Sequence, residues 1–181
     1  MSRISLVEED EHPELAPLIT QIKAERGGRF LNLYRTLAHS PGIAAGWLHL
    51  FTEIRQRAKL DAQSRELAIM RVAVINGADY EFKAHAPFAL KEGLSQSQID
   101  ALSSWTLSEL YTPKMRAVLA YTDSMTREIH VPGAIFAAVR AHFDERETVE
   151  LTATIGAYNL VSRFLEAVEM PHETGTLKAH D

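Results

Sequence analysis

The sequence predicts an all-helical protein. Apolar residues recur at helical spacing along nearly the whole chain, no stretch alternates convincingly as a strand, and capping residues punctuate the periodic segments. With 181 residues and 46% hydrophobic content the chain can bury a substantial core. One domain over 1–181 is expected, with 1–39 as an N-terminal helical extension and 172–181 as a polar, frayed tail.

Each element has its own signal. Ser40 and Pro41 read as N-cap and first residue of a helix that carries Trp47, Leu48, Leu50, Phe51 and Ile54 toward the core. Asp61 caps the next helix, which runs to about Asn76, where Gly77 can take the left-handed conformation that ends it. Asp79 is expected to cap a following helix from Tyr80, so that two helices meet at a tight turn. Gly93 closes the second, and Ser95 with Gln98 forms a capping box for a short helix to about Leu102. Thr112 and Pro113 open a helix to about Glu128, and Val131 and Pro132 open a shorter one. Asp144 with Glu147 makes a second capping box, starting a long last helix that ends before Pro171.

Two helices are too apolar for a surface position. Leu67 to Ile75 surround the axis of the Asp61–Asn76 helix, which must be central or packed on a partner subunit. The last helix is similar from Val149 to Val168, where Ala153, Gly156 and Ala157 permit close helix approach.

Composition narrows the partners. A net charge of −5 and a pI near 5.9 leave no basic stripe, which argues against nucleic acid and anionic membrane and for a small molecule or another subunit. The absence of cysteine removes disulfides, thiolate metal sites and thiol redox chemistry. The N-terminus lacks a signal peptide and no apolar run approaches the roughly 18 residues of a membrane span, so a soluble cytoplasmic protein is expected. No GxSxG, P-loop, HExxH or dinucleotide fingerprint occurs.

The chemistry is expected in the segment RELAIMRVAVINGADYEFKAHAPFA, which sets Glu66, Glu81 and His85 among apolar residues. Glu81 and His85 are four apart and share a helix face, forming a carboxylate–imidazole acid/base unit. Glu66 lies on the preceding helix. A bland reading stands beside each: a buried histidine satisfied by a carbonyl, and a first-turn carboxylate paired with a nearby Arg. Arg71 interrupts an apolar helix and needs a carboxylate, a carbonyl cluster or an anionic ligand, an internal ion pair with a Glu being the first reading. Asn159 and Arg163 give the last helix a polar face, read first as a structural network, and Trp47 reads as core or pocket wall. Only Glu81 and His85 have ligand-like spacing, so no metal and no cofactor are expected.

The spacing of Glu66, Ala78, Glu81 and His85, within NGADYEFKAHAPFALKEGLS, resembles the carboxymuconolactone decarboxylase and alkylhydroperoxidase D-like superfamily. Ala78 and Glu81 stand where its peroxidase branch carries two cysteines, so the chain looks like the cysteine-free branch. The resemblance extends back through SPGIAAGWLHLFTEIR and LDAQSRELAIMRVA, and forward to ELTATIGAYNLVSRFLEAVEMP. It implies a helical bundle built on a central hairpin, Asp61 to Glu92, assembled as a homo-trimer or homo-hexamer. It also implies a site at the hairpin turn, with His85, Glu81 and Glu66 as catalytic candidates and Arg71, Tyr80, Arg163 and Trp47 as substrate-binding candidates. The implied activity is that of a cofactor-free lyase of aromatic degradation, or a related isomerase or hydrolase, acting on a small carboxylated lactone or cyclic acid. Authentic decarboxylases of this kind are shorter, and the extension before Ser40 and the retained Glu66 depart from them. A non-catalytic binding scaffold is the rival reading. His85 is expected to line a solvent-reachable pocket.

Overall fold

The computed structural model describes residues 2–173; the segment expected to fray lies mainly at 174–181, outside them. Among the described residues every regular element is helical. The chain forms two compact units, one built from the residues up to Arg57 together with those from Leu165 onward, the other from Ala58 to Phe164.

The first unit holds α1 (Ala16–Glu25), α2 (Asn32–Leu37) and α3 (Pro41–Thr52), the last running on into a π-helical turn, Glu53–Arg57. Val7, Leu15, Ile19 and Ala38 form one apolar cluster, with Phe30 packed against it. Arg26 ties the helices together by donating to the Tyr34 hydroxyl and to Thr52 Oγ1, each at 3.1 Å. Pro41 starts α3 after Ser40, as expected, although the Ser40 side chain makes no capping bond. Trp47, Leu48, Phe51 and Ile54 are buried, but Leu50 is 41% exposed. Leu50 is three positions from Trp47 and four from Ile54, so helical spacing alone does not separate it from these buried neighbours.

The second unit is built around α4 (Ala62–Asn76), which packs on α5 (Asp79–Lys91), α7 (Pro113–Arg127) and the 3-10 segment Ala101–Leu107 that continues α6 (Gln96–Asp100). α8 (Gly133–Arg140) packs on α7, and α9 (Glu145–Val168) contributes most of its length to this unit. Leu67, Ala68, Met70 and Val72 have no exposed surface. The chain therefore covers the apolar surround of α4 by itself, and α4 is central.

The caps explain the boundaries. Asp61 accepts from the Ser64 N–H at 2.9 Å, and Gly77 ends α4 with φ +63°. The Ala78 N–H then donates to the Ala73 carbonyl at 2.9 Å, closing the turn one residue tighter than expected. Ala78, not Asp79, is thus the N-cap of α5; Asp79 is its first helical residue and lies 3.7 Å from Lys83. Ser95 with Gln98, and Asp144 with Glu147, both close the reciprocal bonds of a capping box. No helix among the described residues is long and apolar enough to cross a membrane.

Candidate active site

The turn at Gly77 folds α5 back along α4. Glu66 lies eleven residues before Gly77 and His85 eight after it, so the two side chains meet at similar heights on neighbouring helices. His85 Nδ1 lies 2.7 Å from Glu66 Oε2, a short charge-assisted hydrogen bond in which the ring donates to the carboxylate. On the other side of the ring, Nε2 lies 3.5 Å from Glu81 Oε2, one helical turn earlier on α5 and beyond direct hydrogen-bond length. The imidazole therefore stands between two carboxylates with unequal roles. Glu66 fixes the tautomer by taking the Nδ1 proton, which leaves Nε2, facing Glu81, as the nitrogen free to react. The sequence reading gave the orienting role to Glu81; the distances give it to Glu66.

Aromatic rings cover the pair. Tyr158 of α9 meets His85 edge to face, with centroids 5.1 Å apart and planes at 88°, and Phe88 lies tilted at 5.9 Å. Only 7% of the His85 side chain, 6% of Glu81 and 3% of Glu66 reach solvent. The site is thus more enclosed than the open pocket expected for His85. Arg65 stands behind Glu66, its Nε 3.4 Å from Glu66 Oε1. Among the described residues no group of three or more His, Asp or Glu side chains has metal-holding geometry.

The expected substrate-binding residues are placed as follows. Arg71 is not at the site: it forms a bidentate pair with Asp123, Nε to Oδ1 at 2.6 Å and Nη2 to Oδ2 at 2.8 Å, and Nη1 donates to the Leu102 carbonyl at 2.7 Å. The internal ion pair is realised, with an Asp rather than a Glu and with a backbone carbonyl beside it. Arg163 is exposed and donates to Asn159 Oδ1 at 2.6 Å, while Asn159 also receives the Asn76 amide at 3.1 Å and donates to Thr126 at 3.0 Å. Tyr80 is half-buried in the first turn of α5. Trp47 lies in the other unit, stacked on Phe51 with centroids 5.3 Å apart.

Two neighbours of the pair were not singled out from the sequence. Tyr158 repeats the spacing of Ile155, Ser162 and Leu165 along α9 and so reads as ordinary core. Arg65 adjoins Glu66, and consecutive helical residues diverge by about 100°, which gives no reason to pair them.

Comparison with known proteins agrees with this architecture. Residues 41–124 match the carboxymuconolactone decarboxylase family. The chain is 28% identical over 110 residues to the uncharacterized protein YdfG of Bacillus subtilis, covering 60% of this chain and 75% of that one. A crystal structure from Agrobacterium tumefaciens, of a protein of unknown function proposed as an AhpD antioxidant defence protein, superposes with a TM-score of 0.71 at 28% identity, over 77% of this chain and 96% of that one. The debrominase Bmp8, solved with 2,3,4-tribromopyrrole, shares the fold, with a TM-score of 0.76 at 19% identity over 94% and 91% of the two chains. The family match over residues 41–124 and the AhpD-like structural neighbours support placing this cysteine-free chain with the carboxymuconolactone decarboxylase and AhpD-like superfamily.

Proposed function

We propose that this protein is a cofactor-free enzyme that moves a proton on a small carboxylated lactone or related cyclic acid, with His85 as the acid/base group. The observation that carries this reading is the buried carboxylate–imidazole–carboxylate set, in which Glu66 holds Nδ1 at 2.7 Å and Glu81 faces Nε2 at 3.5 Å. Structure alone has little use for three ionisable groups at one enclosed place, because each must be desolvated. Decarboxylation suits the arrangement. The bond to the departing carbon dioxide breaks, its electron pair enters an extended enolate, and the Nε2 proton of protonated His85 is delivered to carbon. Glu66 keeps the ring aligned through that transfer, and Glu81 is placed to help return a proton to Nε2. Isomerisation or ring hydrolysis would use the same proton donor and acceptor.

The fold by itself does not choose the substrate, since a debrominase shares it. A thiol peroxidase is disfavoured by chemistry, because the peroxide must be attacked by a thiolate and this sequence has no cysteine. A second reading, a binding scaffold without turnover, draws on the enclosure of His85, whose side chain is only 7% exposed. His85→Gln separates the two. Assayed for carbon dioxide release from carboxylated muconolactones, the variant should lose about 10²-fold or more in turnover with little change in melting temperature if His85 is the proton donor. If it merely satisfies the interior, loss of the His85–Glu66 bond should cost roughly 1–3 kcal/mol of stability while ligand binding is unchanged.

A further inference from the structure

We propose that Ser162 on α9 is a substrate-binding residue of the candidate site, its hydroxyl donating a hydrogen bond to the ring carbonyl oxygen of the lactone; the assignment rests on the catalytic reading of His85. Ser162 is 1% exposed, and among the described residues its Oγ is a buried oxygen with no hydrogen-bond partner. Buried hydroxyls normally have one. On a helix the nearest acceptor is the carbonyl four residues back, and Thr148, Thr152 and Thr154 of α9 each donate to theirs at 2.7 Å. Ser162 does not take the Tyr158 carbonyl. It shares a buried face with Ile155 and Tyr158, where alanine would pack as closely and strand no donor. Packing thus accounts for the small size of residue 162 but not for its hydroxyl.

Helix direction places that hydroxyl. The Leu60 N–H, just before α4, donates to Glu150 at 2.7 Å, and Asn76 at the end of α4 donates to Asn159 at 3.1 Å, so α9 runs the same way as α4. α5, folded back at Gly77, runs the opposite way. Where the two antiparallel helices meet, the Tyr158 ring stands against His85. One turn onward along α9 is Ser162 and one turn back along α5 is Glu81, and both steps, about 6 Å each, lead toward the hairpin turn. Ser162 therefore lies on the side of the ring where Nε2 faces Glu81, the side on which the substrate is to be protonated.

The chemistry needs a donor there. Whether a carboxylate or a proton leaves the ring carbon, the electron pair ends on the ring carbonyl oxygen, and a donor aimed at that oxygen stabilises the enolate more than the neutral lactone. The Nε2 proton goes to carbon. Arg71 is spent on Asp123 and Leu102, and Arg163 stands in solvent, bonded to Asn159. Ser162 supplies the hydrogen bond without adding charge and keeps its own proton throughout: the bond strengthens as charge builds on the carbonyl oxygen and relaxes once His85 has protonated carbon.

The test compares two ring acids of nearly the same shape, γ-butyrolactone-γ-carboxylate, which carries the ring carbonyl, and tetrahydrofuran-α-carboxylate, the ether that lacks it. By calorimetry the parent should bind the lactone more tightly than the ether, and Ser162→Ala should bind the lactone roughly fivefold more weakly and the ether unchanged. Its melting temperature should equal or exceed that of the parent, since no hydrogen bond of the fold is lost. Ser162→Cys gives this cysteine-free chain a single thiol, whose alkylation by iodoacetamide should be slowed by the lactone and not by the ether. Equal losses for both acids, a lactone affinity indifferent to Ser162→Ala, no lactone binding by the parent, or an alkylation rate that the lactone leaves unchanged overturns the assignment. So does a clear fall in melting temperature in Ser162→Ala, because the hydroxyl then serves the fold. Lactone binding that depends on Ser162, with no turnover in any form, keeps Ser162 as a carbonyl-binding residue and removes the enzyme reading. Turnover abolished in His85→Gln, with lactone binding indifferent to Ser162, does the reverse.

Discussion

Arg71 is the arginine of α4 whose charge is taken up inside the chain. Arg71 points among α7 and the Ala101–Leu107 segment, where Asp123 takes two of its nitrogens and also accepts from Trp105 Nε1 at 3.1 Å. The pair is nearly closed to solvent on the arginine side, at 4% exposure against 23% for Asp123. Removing one partner of such a pair leaves an uncompensated charge, so Arg71→Ala should cost about 3 kcal/mol in urea unfolding. Replacing both partners by apolar residues should cost less than Arg71→Ala alone, and turnover by the folded variant should match the parent. Loss of turnover without loss of stability would return Arg71 to the site. At this scale the sequence was partly legible. Glu81 and His85 follow from one helical interval, and Arg71 from its intrusion into an apolar run, but the partner on Arg71 comes from 52 positions away, a distance no local pattern encodes. The division of labour between Glu66 and Glu81 was likewise invisible, because it depends on how far α5 folds back past Gly77.

The α4–α5 hairpin is the element that makes the site, and its capping residues were the most readable part of the chain. Asp61 both caps α4 through Ser64 and receives Lys114 at 2.8 Å. Burial alone would push its carboxyl up, but the hydrogen bonds from Lys114 and Ser64 outweigh that and hold it below the ordinary aspartate range. A depressed folded value means that ionised Asp61 stabilises the hairpin above pH ~4 and that this contribution fades as pH falls through the folded value. Asp61→Ala should therefore cost about 1 kcal/mol at pH 7, and the gap between variant and parent in urea midpoint should narrow steadily toward pH 3. A gap independent of pH would mean that the cap acts without its charge. The one-residue error at the start of α5 has a local cause: Asp79 is a better capping residue than Ala78, yet the bonds that close α4 over Gly77 consume the turn first. Pro87, inside α5 and two residues after His85, was passed over in the sequence because tertiary packing carries the helix through it.

At the scale of the whole molecule, assembly has to be argued from α9 rather than from α4. The apolar girth of α4 is covered within the chain, so it no longer asks for a partner. The demand lies instead on α9. Val149, Ala153, Gly156 and Leu160 follow the alternating four- and three-residue spacing of a helix–helix seam, and all four are exposed, Val149 at 67% and Leu160 at 48%. Gly156 makes the point sharply. A Cβ built there meets nothing within 4 Å, so the chain's own packing does not require glycine, although glycine in a helix interior costs about 1 kcal/mol relative to alanine. A helix approaching closely from outside would give the glycine a use. We propose this seam as the contact of the expected trimer or hexamer, and Gly156→Leu should then act in opposite directions on two measurements. Light scattering over a concentration series should show the parent as an oligomer and the variant as a smaller species. At low concentration, where both are dissociated, the variant should unfold at no lower urea than the parent, because leucine favours the helix and finds open space. A parent that is monomeric at micromolar concentration, or a variant that assembles unchanged, would leave the gap at Gly156 without a partner to explain it.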